Sequence, residues 1–255
     1  MTNSLSRSIW FSCYKHNPAA RLRLFCFPYG GGNASAFQSW PAFFSGNIEV
    51  WGALLPGRGP RLSEKPFNSL RPLIRGLKEG IAPFSEKPFV FFGHSMGALL
   101  CLELTRELQA CDLTLPSHVF FSGHRPPHIR RMLPSLHTLS DVELIQALKD
   151  LNGTPQEILE NKEMMELALP VLRSDMEICE TYMSNADTKL KCPISVFGGL
   201  QDKEAMREQL DEWRAYTDSA FSLQMFPGDH FFLTSARALV TQQIAKKLER
   251  IVMEL

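Results

Sequence analysis

The chain has little that would suit it to a membrane, to nucleic acid or to an oxidising compartment. No stretch approaches the run of about eighteen apolar residues that a bilayer-spanning helix needs, so no transmembrane segment is expected. Charge of one sign is not in excess: 27 Lys plus Arg against 27 Asp plus Glu give a net charge of +0. Without a basic surplus a protein has little with which to displace counterions, which excludes a general nucleic-acid binder though not a local basic patch. The six cysteines include no Cys-x-x-Cys pair, and several sit in apolar runs where a free thiol packs as a small hydrophobe. The opening residues, Met1-Thr-Asn-Ser4 and onward, lack the apolar centre of a secretory signal. Internal repeats, charge blocks and low-complexity tracts are also missing. These absences together set the expectation of a reduced, cytoplasmic, soluble protein, with nothing to suggest more than a monomer.

What is present is enough apolar residue to build a sizeable core: 44% hydrophobic against 21% charged over 255 residues. Six short runs, at 22–27, 48–54, 89–92, 119–122, 194–197 and 221–226, are nearly continuous in apolar residues, as strands covered on both faces should be. Helical patterns at 34–44, 73–82, 96–108, 205–216 and 236–253 lie between them. That alternation predicts an α/β fold with a mostly parallel central sheet flanked by helices. One region breaks it. Between Arg125 and Leu190 there are only helical signals: Ser140…Glu143 and Thr154…Glu157 as capping boxes, Pro155 at a first helical position, and a longer pattern from about Lys162 to Tyr182. Pro170 within the last should kink or split it. The expectation is a single domain over 1–255, with a core of about 20–125 and 190–255 and an all-helical lid insertion of about 126–189. Of the ten methionines, Met132, Met164, Met165, Met176 and Met183 fall in this insertion, where thioethers either adapt to a varied ligand or simply fill the packing.

The sharpest chemical signal is Gly93-His-Ser95-Met-Gly97, which fits G-x-S-x-G, a serine on a tight strand-to-helix turn. Alone the pattern is weak, but an apolar run precedes it and an apolar helical pattern follows. A serine hydroxyl needs a base to take its proton. Among the seven histidines, His230 follows the last strand and precedes the C-terminal helix, where the base of such a fold belongs. His94 adjoins Ser95 and cannot reach back to it. His124 and His128 are separated by Pro126 and Pro127, which disfavours a metal pair on one helix face, and no metal site is expected. Asp202, leaving the penultimate strand, is the best acid; the alternatives are that it caps a helix beginning near Ala205, or that Asp229 takes its place. Oxyanion donors are expected from the backbone N–H of Met96 and from the loop Phe27-Pro-Tyr-Gly-Gly-Gly-Asn33, with Tyr29 or Gly30 as donor. A phosphate-binding role for that loop is disfavoured, because neither G-x-G-x-x-G nor Gly-Lys-Ser/Thr is present.

These segments, with Leu55-Pro-Gly-Arg-Gly59, Leu139-Ser-Asp-Val-Glu-Leu144, Gly153-Thr-Pro155, Leu169-Pro-Val-Leu-Arg-Ser-Asp175, Gly198-Gly-Leu-Gln-Asp202 and Gly228-Asp-His-Phe-Phe232, cover most of the chain from about Leu22. As a set the sequence resembles the type II (external, editing) thioesterases that accompany nonribosomal peptide and polyketide synthases, and their medium-chain fatty-acid synthase relatives. One departure is Gly30, where the family usually has alanine. The resemblance implies an α/β-hydrolase fold, a Ser-His-Asp triad, and an acyl thioester on the phosphopantetheine arm of an acyl or peptidyl carrier protein, with no resident cofactor. It also implies a purpose in antibiotic-type biosynthesis, removal of misprimed or stalled acyl groups. Candidate carrier- or substrate-binding residues near the expected mouth are Arg58, Arg61, Arg125, Arg130 and Arg131, with Met132 and Met176 from the insertion. The competing readings are a medium-chain release thioesterase, a small-ester carboxylesterase, and an inactive carrier-binding module.

Overall fold

The computed structural model describes residues 8–130, 134–151, 153, 156–184 and 186–255. Thr154, Pro155, Arg131 and Met132 therefore lie outside the described residues, and with them the second expected capping box and two of the expected mouth residues.

Seven strands form one sheet: β1 (Phe11–Cys13), β2 (Leu22–Phe27), β3 (Ile48–Ala53), β4 (Phe89–His94), β5 (His118–Ser122), β6 (Ile194–Gly199) and β7 (Phe221–Phe226), in the order β1-β3-β2-β4-β5-β6-β7. Every pairing is parallel except β1 with β3. The buried runs read from the sequence are these strands, and their side chains divide between two faces with the period of two that a pleat imposes. Phe25, Phe27, Phe89, Phe91, Val119, Phe121, Ile194 and Val196 enter one core. Leu22, Leu24, Cys26, Val90, Phe92, Phe120 and Phe197 enter the other.

Helices α1 (Leu70–Ile81) and α2 (Met96–Ala110) cover the first face. The C-terminal helix α8 (Arg237–Glu254) covers the second with Val240, Ile244, Leu248 and Val252. Between β5 and β6 come α3 (Asp141–Leu151), α4 (Gln156–Leu159) and α5 (Lys162–Thr181), with no strand among the described residues. They have their own small core of Leu136, Leu144, Leu148, Met165, Leu169 and Leu172. The Ser140 box forms as expected: Glu143 Oε2 accepts from Ser140 N at 2.9 Å, while Glu143 N donates to Ser140 Oγ at 3.4 Å. Asn161 caps α5 by accepting from Met164 N at 3.0 Å.

The structure departs from expectation in four places. The segment 34–44 is not an α-helix but two single-turn 3-10 pieces, Ala34–Phe37 and Trp40–Phe43; Pro41 sits at the start of the second and supplies no amide to continue a ladder from the first. The expected helix at 205–216 is a short α6 (Arg207–Asp211) followed by a 3-10 turn, Glu212–Tyr216. Helix α5 runs unbroken through Pro170, because Leu169, Val171 and Leu172 are buried on either side of it and packing overrides the lost hydrogen bond. Strand β1 was not foreseen; three residues are too few to show a period. A last short helix, α7 (Phe232–Ser235), precedes α8.

The chain leaves β2 for one side of the sheet and leaves β4 for the other. At such a reversal the loops after the two strands diverge and open a crevice at their carboxyl ends. The glycine-rich loop follows β2 and Ser95 follows β4, so both stand at that crevice. Their approach is close enough to admit only glycine at two points. A methyl group at Gly93 would lie 2.0 Å from Gly97 O, and one at Gly97 would lie 2.1 Å from Phe27 O. Both obstacles are backbone and cannot move aside. Gly97→Ala is therefore expected to cost about 2–4 kcal/mol of stability, read as a lowered urea midpoint with an unchanged m-value.

Candidate active site

Ser95 joins β4 to α2 with φ 54° and ψ −118°, a left-handed conformation that non-glycine residues rarely adopt. Its amide donates to Ser122 O at 2.7 Å, and its carbonyl accepts from Ala98 N at 2.9 Å, so both sides of the turn are tied to the scaffold. The strained turn lifts the hydroxyl out of the sheet toward the loop after β7.

That loop carries His230, whose Nε2 lies 3.0 Å from Ser95 Oγ. Its other nitrogen, Nδ1, lies 2.9 Å from Asp202 Oδ2, on the loop after β6. A carboxylate can only accept, so Nδ1 carries the proton and Nε2 is left to accept from the serine hydroxyl. Asp202 is buried; its second oxygen, Oδ1, accepts from Glu204 N at 2.8 Å. Asp202 is not a helix cap, since α6 begins at Arg207 after Met206. Asp229 turns its carboxylate to Phe231 N at 2.8 Å, within its own loop. The three residues singled out from the sequence thus converge from three loops, and the rival acid does not join them.

Burial disfavours a charged imidazole at His230, but the hydrogen bond and charge of Asp202, helped by Glu204 and Asp229, outweigh it and raise the pKa above the ordinary 6.5. His94 has the opposite fate. It is buried, its Nε2–H donates to His230 O at 3.0 Å, and its Nδ1 faces Ser122 Oγ at 2.9 Å. Burial, and next the nearby His230, push its pKa well below 6.5, so it stays neutral and braces the His230 loop from the end of β4. Sequence reasoning excluded His94 as the base but did not foresee this contact.

The glycine loop closes the site from the other side. Gly32 N donates to Tyr29 O at 2.9 Å, and Gly31 N donates to Asp175 Oδ2 at 2.7 Å. Pro28 has no amide proton, and the two expected donors, Tyr29 and Gly30, both line a small cavity with Ser95 and His230. Met96 opens α2, where first-turn amides have no intrahelical partner. The small cavity, about 80 Å³, shares Tyr29, Gly30, Met176 and Phe231 with a larger one of about 460 Å³. The larger cavity is lined from the helical insertion by Leu148, Ile158, Met164, Leu167, Ala168 and Leu172. Met164 and Met176 line it, while Met165 packs the insertion's own core.

The expected arginines behave differently. Arg58 is 8% exposed and its guanidinium is spent internally: Nη1 on Asp175 Oδ2 at 2.5 Å, Nη2 on Asp175 Oδ1 at 2.9 Å, and Nη1 again on Gly32 O at 3.3 Å. Arg61, 7% exposed, pairs with Glu64, donates to Leu54 O and lies over the Trp10 ring. Both guanidinium groups are thus engaged within the protein, while Arg58 also lines the larger cavity, where a ligand would meet it. Arg125 is also buried, donating to Ile129 O at 3.0 Å, but it lines the serine cavity and stays near any ligand there. Among the described residues the group spaced for a metal ion is Cys13, His16 and Glu49. Glu49 is already engaged by Arg23, and burial pushes the Cys13 thiol up to about 12, so the thiolate a metal would want is disfavoured. His124 and His128 turn to different partners, Arg125 O and Tyr216 Oη.

The chain is similar to known proteins over most of its length. Residues 22–252 match the family model described as "Thioesterase domain". The chain is 42% identical over 243 residues to the gramicidin S biosynthesis protein GrsT of Aneurinibacillus migulanus, covering 95% of each chain. It superposes with a TM-score of 0.86 and 32% identity on the type II thioesterase BorB from the borrelidin biosynthetic cluster, covering 96% of this chain and 99% of that one. RedJ, a thioesterase from the prodiginine biosynthetic pathway in Streptomyces coelicolor, gives 0.83 at 36% identity, covering 89% and 86%. Among the described residues no helix is long and apolar enough to cross a membrane. The chain therefore belongs to the thioesterase family, hydrolases of thioester bonds, and has the α/β-hydrolase fold of its type II members.

Proposed function

We propose that this protein hydrolyses acyl groups from the phosphopantetheine arm of acyl or peptidyl carrier proteins, clearing misprimed or stalled intermediates in nonribosomal peptide or polyketide synthesis. The observation that carries the reading is the relay of Asp202, His230 and Ser95, at 2.9 and 3.0 Å, opening on an apolar cavity. In this account Ser95 Oγ attacks the thioester carbon while His230 Nε2 takes its proton. The oxyanion is held by Met96 N–H and by Tyr29 or Gly30. The intermediate collapses with loss of the pantetheine sulfur, to which His230 returns the proton, and water then releases the acid by the same steps. Asp202 keeps the imidazole in the tautomer that accepts at Nε2. The reaction so written needs no resident cofactor, since the substrate brings the phosphopantetheine.

The rest of the reading is one domain over 1–255, with the helical segment of about 126–189 as a roof, acting as a monomer in the cytoplasm without nucleic acid or membrane. Each methylene buried in the large cavity contributes about 0.8 kcal/mol, so acyl length is felt there. That cavity also suits medium-chain release, which an acyl-length profile on one carrier separates from editing: a steep rise with length favours release. The direct test is mass spectrometry of a panel of acylated carriers before and after exposure to the enzyme. Free acid and intact holo-carrier are expected; unchanged acyl-carriers alongside turnover of small oxygen esters would contradict the reading.

A pH dependence follows from the histidine. Only neutral His230 can accept a proton, and its pKa is raised, so kcat/KM should fall on the acid side with a midpoint above about 6.5. A midpoint well below that value would mean that another group limits the rate.

A further inference from the structure

On the sheet face that α8 covers, the inner strands present apolar side chains: Leu22, Leu24, Val90, Phe92 and Phe120. Strands β6 and β7 break that pattern. Ser195 and Ser222 are paired in register, and Gln224 pairs with Phe197, so the covered face carries two hydroxyls and an amide near its edge. Ser195 is 3% exposed, and its Oγ lies 2.9 Å from His118 Nε2 and 2.8 Å from Ser222 Oγ. The helix over this polar floor is not apolar either. Gln243, Lys246, Lys247 and Arg250, on successive turns of α8, share one side of it. They and the floor enclose a cavity of about 170 Å³.

Three cations and, among the described residues, no carboxylate line that cavity. Nor has any of the three an ion-pair partner among those residues, although Glu249 and Glu254 stand on the same helix. Lys246 and Arg250, one helical turn apart, repel each other. Lys247 stands near enough for its charge to act on His118. Burial, and then that lysine, push the His118 pKa down to about 3, so the histidine is neutral. Unbalanced cations over buried hydroxyls make a recess of positive potential.

We infer that this recess binds a phosphate group, either as the free ion or as the end of a small phosphorylated molecule, at a site separate from the catalytic one. Arg250 brings a planar fork and the lysines point charges, while the hydroxyl of Ser222 and the side-chain N–H groups of Gln224 and Gln243 are further donors. A small recess suits one phosphate group; a protein partner needs a far larger open face. Ser195 and Ser222 are the second residues of their strands, whereas the loops of Asp202 and His230 leave the opposite ends. Binding here and hydrolysis at Ser95 therefore stand or fall separately.

The test is calorimetric titration of the full chain at low salt with inorganic phosphate, pyrophosphate and AMP in turn, and with acetate as a single-charge control. At least one phosphate probe is expected to bind with a Kd below about 1 mM, to weaken as salt is added, and to exceed acetate about tenfold or more. Tighter binding of AMP than of phosphate identifies a phosphorylated molecule as the source; the reverse identifies the free ion. The triple variant Lys246→Gln, Lys247→Gln and Arg250→Gln is expected to weaken binding more than about tenfold. Gln224→Glu keeps all three cations but sets a carboxylate in the floor, and the same loss is expected. Thermal melting checks that both variants fold. Binding of every phosphate probe weaker than about 1 mM, or unchanged affinity in the folded triple variant, would overturn the inference. So would undiminished affinity in Gln224→Glu, which would put the anion on the open side of α8 and not in the recess.

Discussion

Replacement of Ser95 by alanine is expected to remove thioester hydrolysis almost entirely, lowering kcat by about 10⁴- to 10⁶-fold. Among the described residues the hydroxyl is the group in the small cavity that meets the acceptor nitrogen of His230, at 3.0 Å, and without it no acyl-enzyme forms. What survives is the slow attack of water assisted by the remaining donors. Stability should move by no more than about 1 kcal/mol, because alanine keeps the Cβ already accommodated at φ 54° and only one hydrogen bond is lost. Single-turnover assay with an acyl-pantetheine thioester, alongside thermal melting, checks both halves. Activity within tenfold of the wild type would show that the nucleophile lies elsewhere.

Asp202→Asn is expected to lower turnover by about four orders of magnitude. The reason lies in the second oxygen of the carboxylate. Oδ1 accepts from Glu204 N at 2.8 Å, so an asparagine placed there turns its carbonyl to Glu204 and its NH₂ to His230. The imidazole must then accept at Nδ1 and carry its proton at Nε2, where it can no longer take one from Ser95. Loss of the carboxylate's charge also removes the influence that lifts the His230 pKa, so the acid limb of the residual activity should shift to lower pH. A nearly silent substitution would mean that Asp202 only supports its loop. Asp229 would be a weak replacement, since its carboxylate is engaged by Phe231 N.

Much of this was legible in the sequence, for identifiable reasons. The inner strands are buried on both faces, so they read as unbroken apolar runs whatever packs on them. Ser95, Asp202 and His230 were found because the chemistry limits the residue types, and because each stands just beyond a strand, where a parallel sheet gathers its loops. Patterns failed where tertiary contacts set the conformation. Strand β1 exists because Phe11 packs edge-on to Phe25 and Phe27 while its backbone pairs with Ala53, and neither contact shows in three residues of sequence. The apolar spacing at 34–44 imitated a helix, yet Phe37 and Trp40 pack on Phe92 from two short turns. Arg58 read as a rim charge because burial is not a local property. Its partner Asp175, on the buried side of a helix distant in sequence, gave no sign by itself, although both residues lie in segments that carried the family resemblance.

The central claim is that Ser95 is an activated nucleophile. A fluorophosphonate probe tests it directly, with the adduct located by peptide mass spectrometry. One adduct is expected, on Ser95, formed in the wild type and lost in His230→Ala although both proteins are folded. Folded wild-type protein that stays unlabelled, or that carries its label on another residue, would contradict the account.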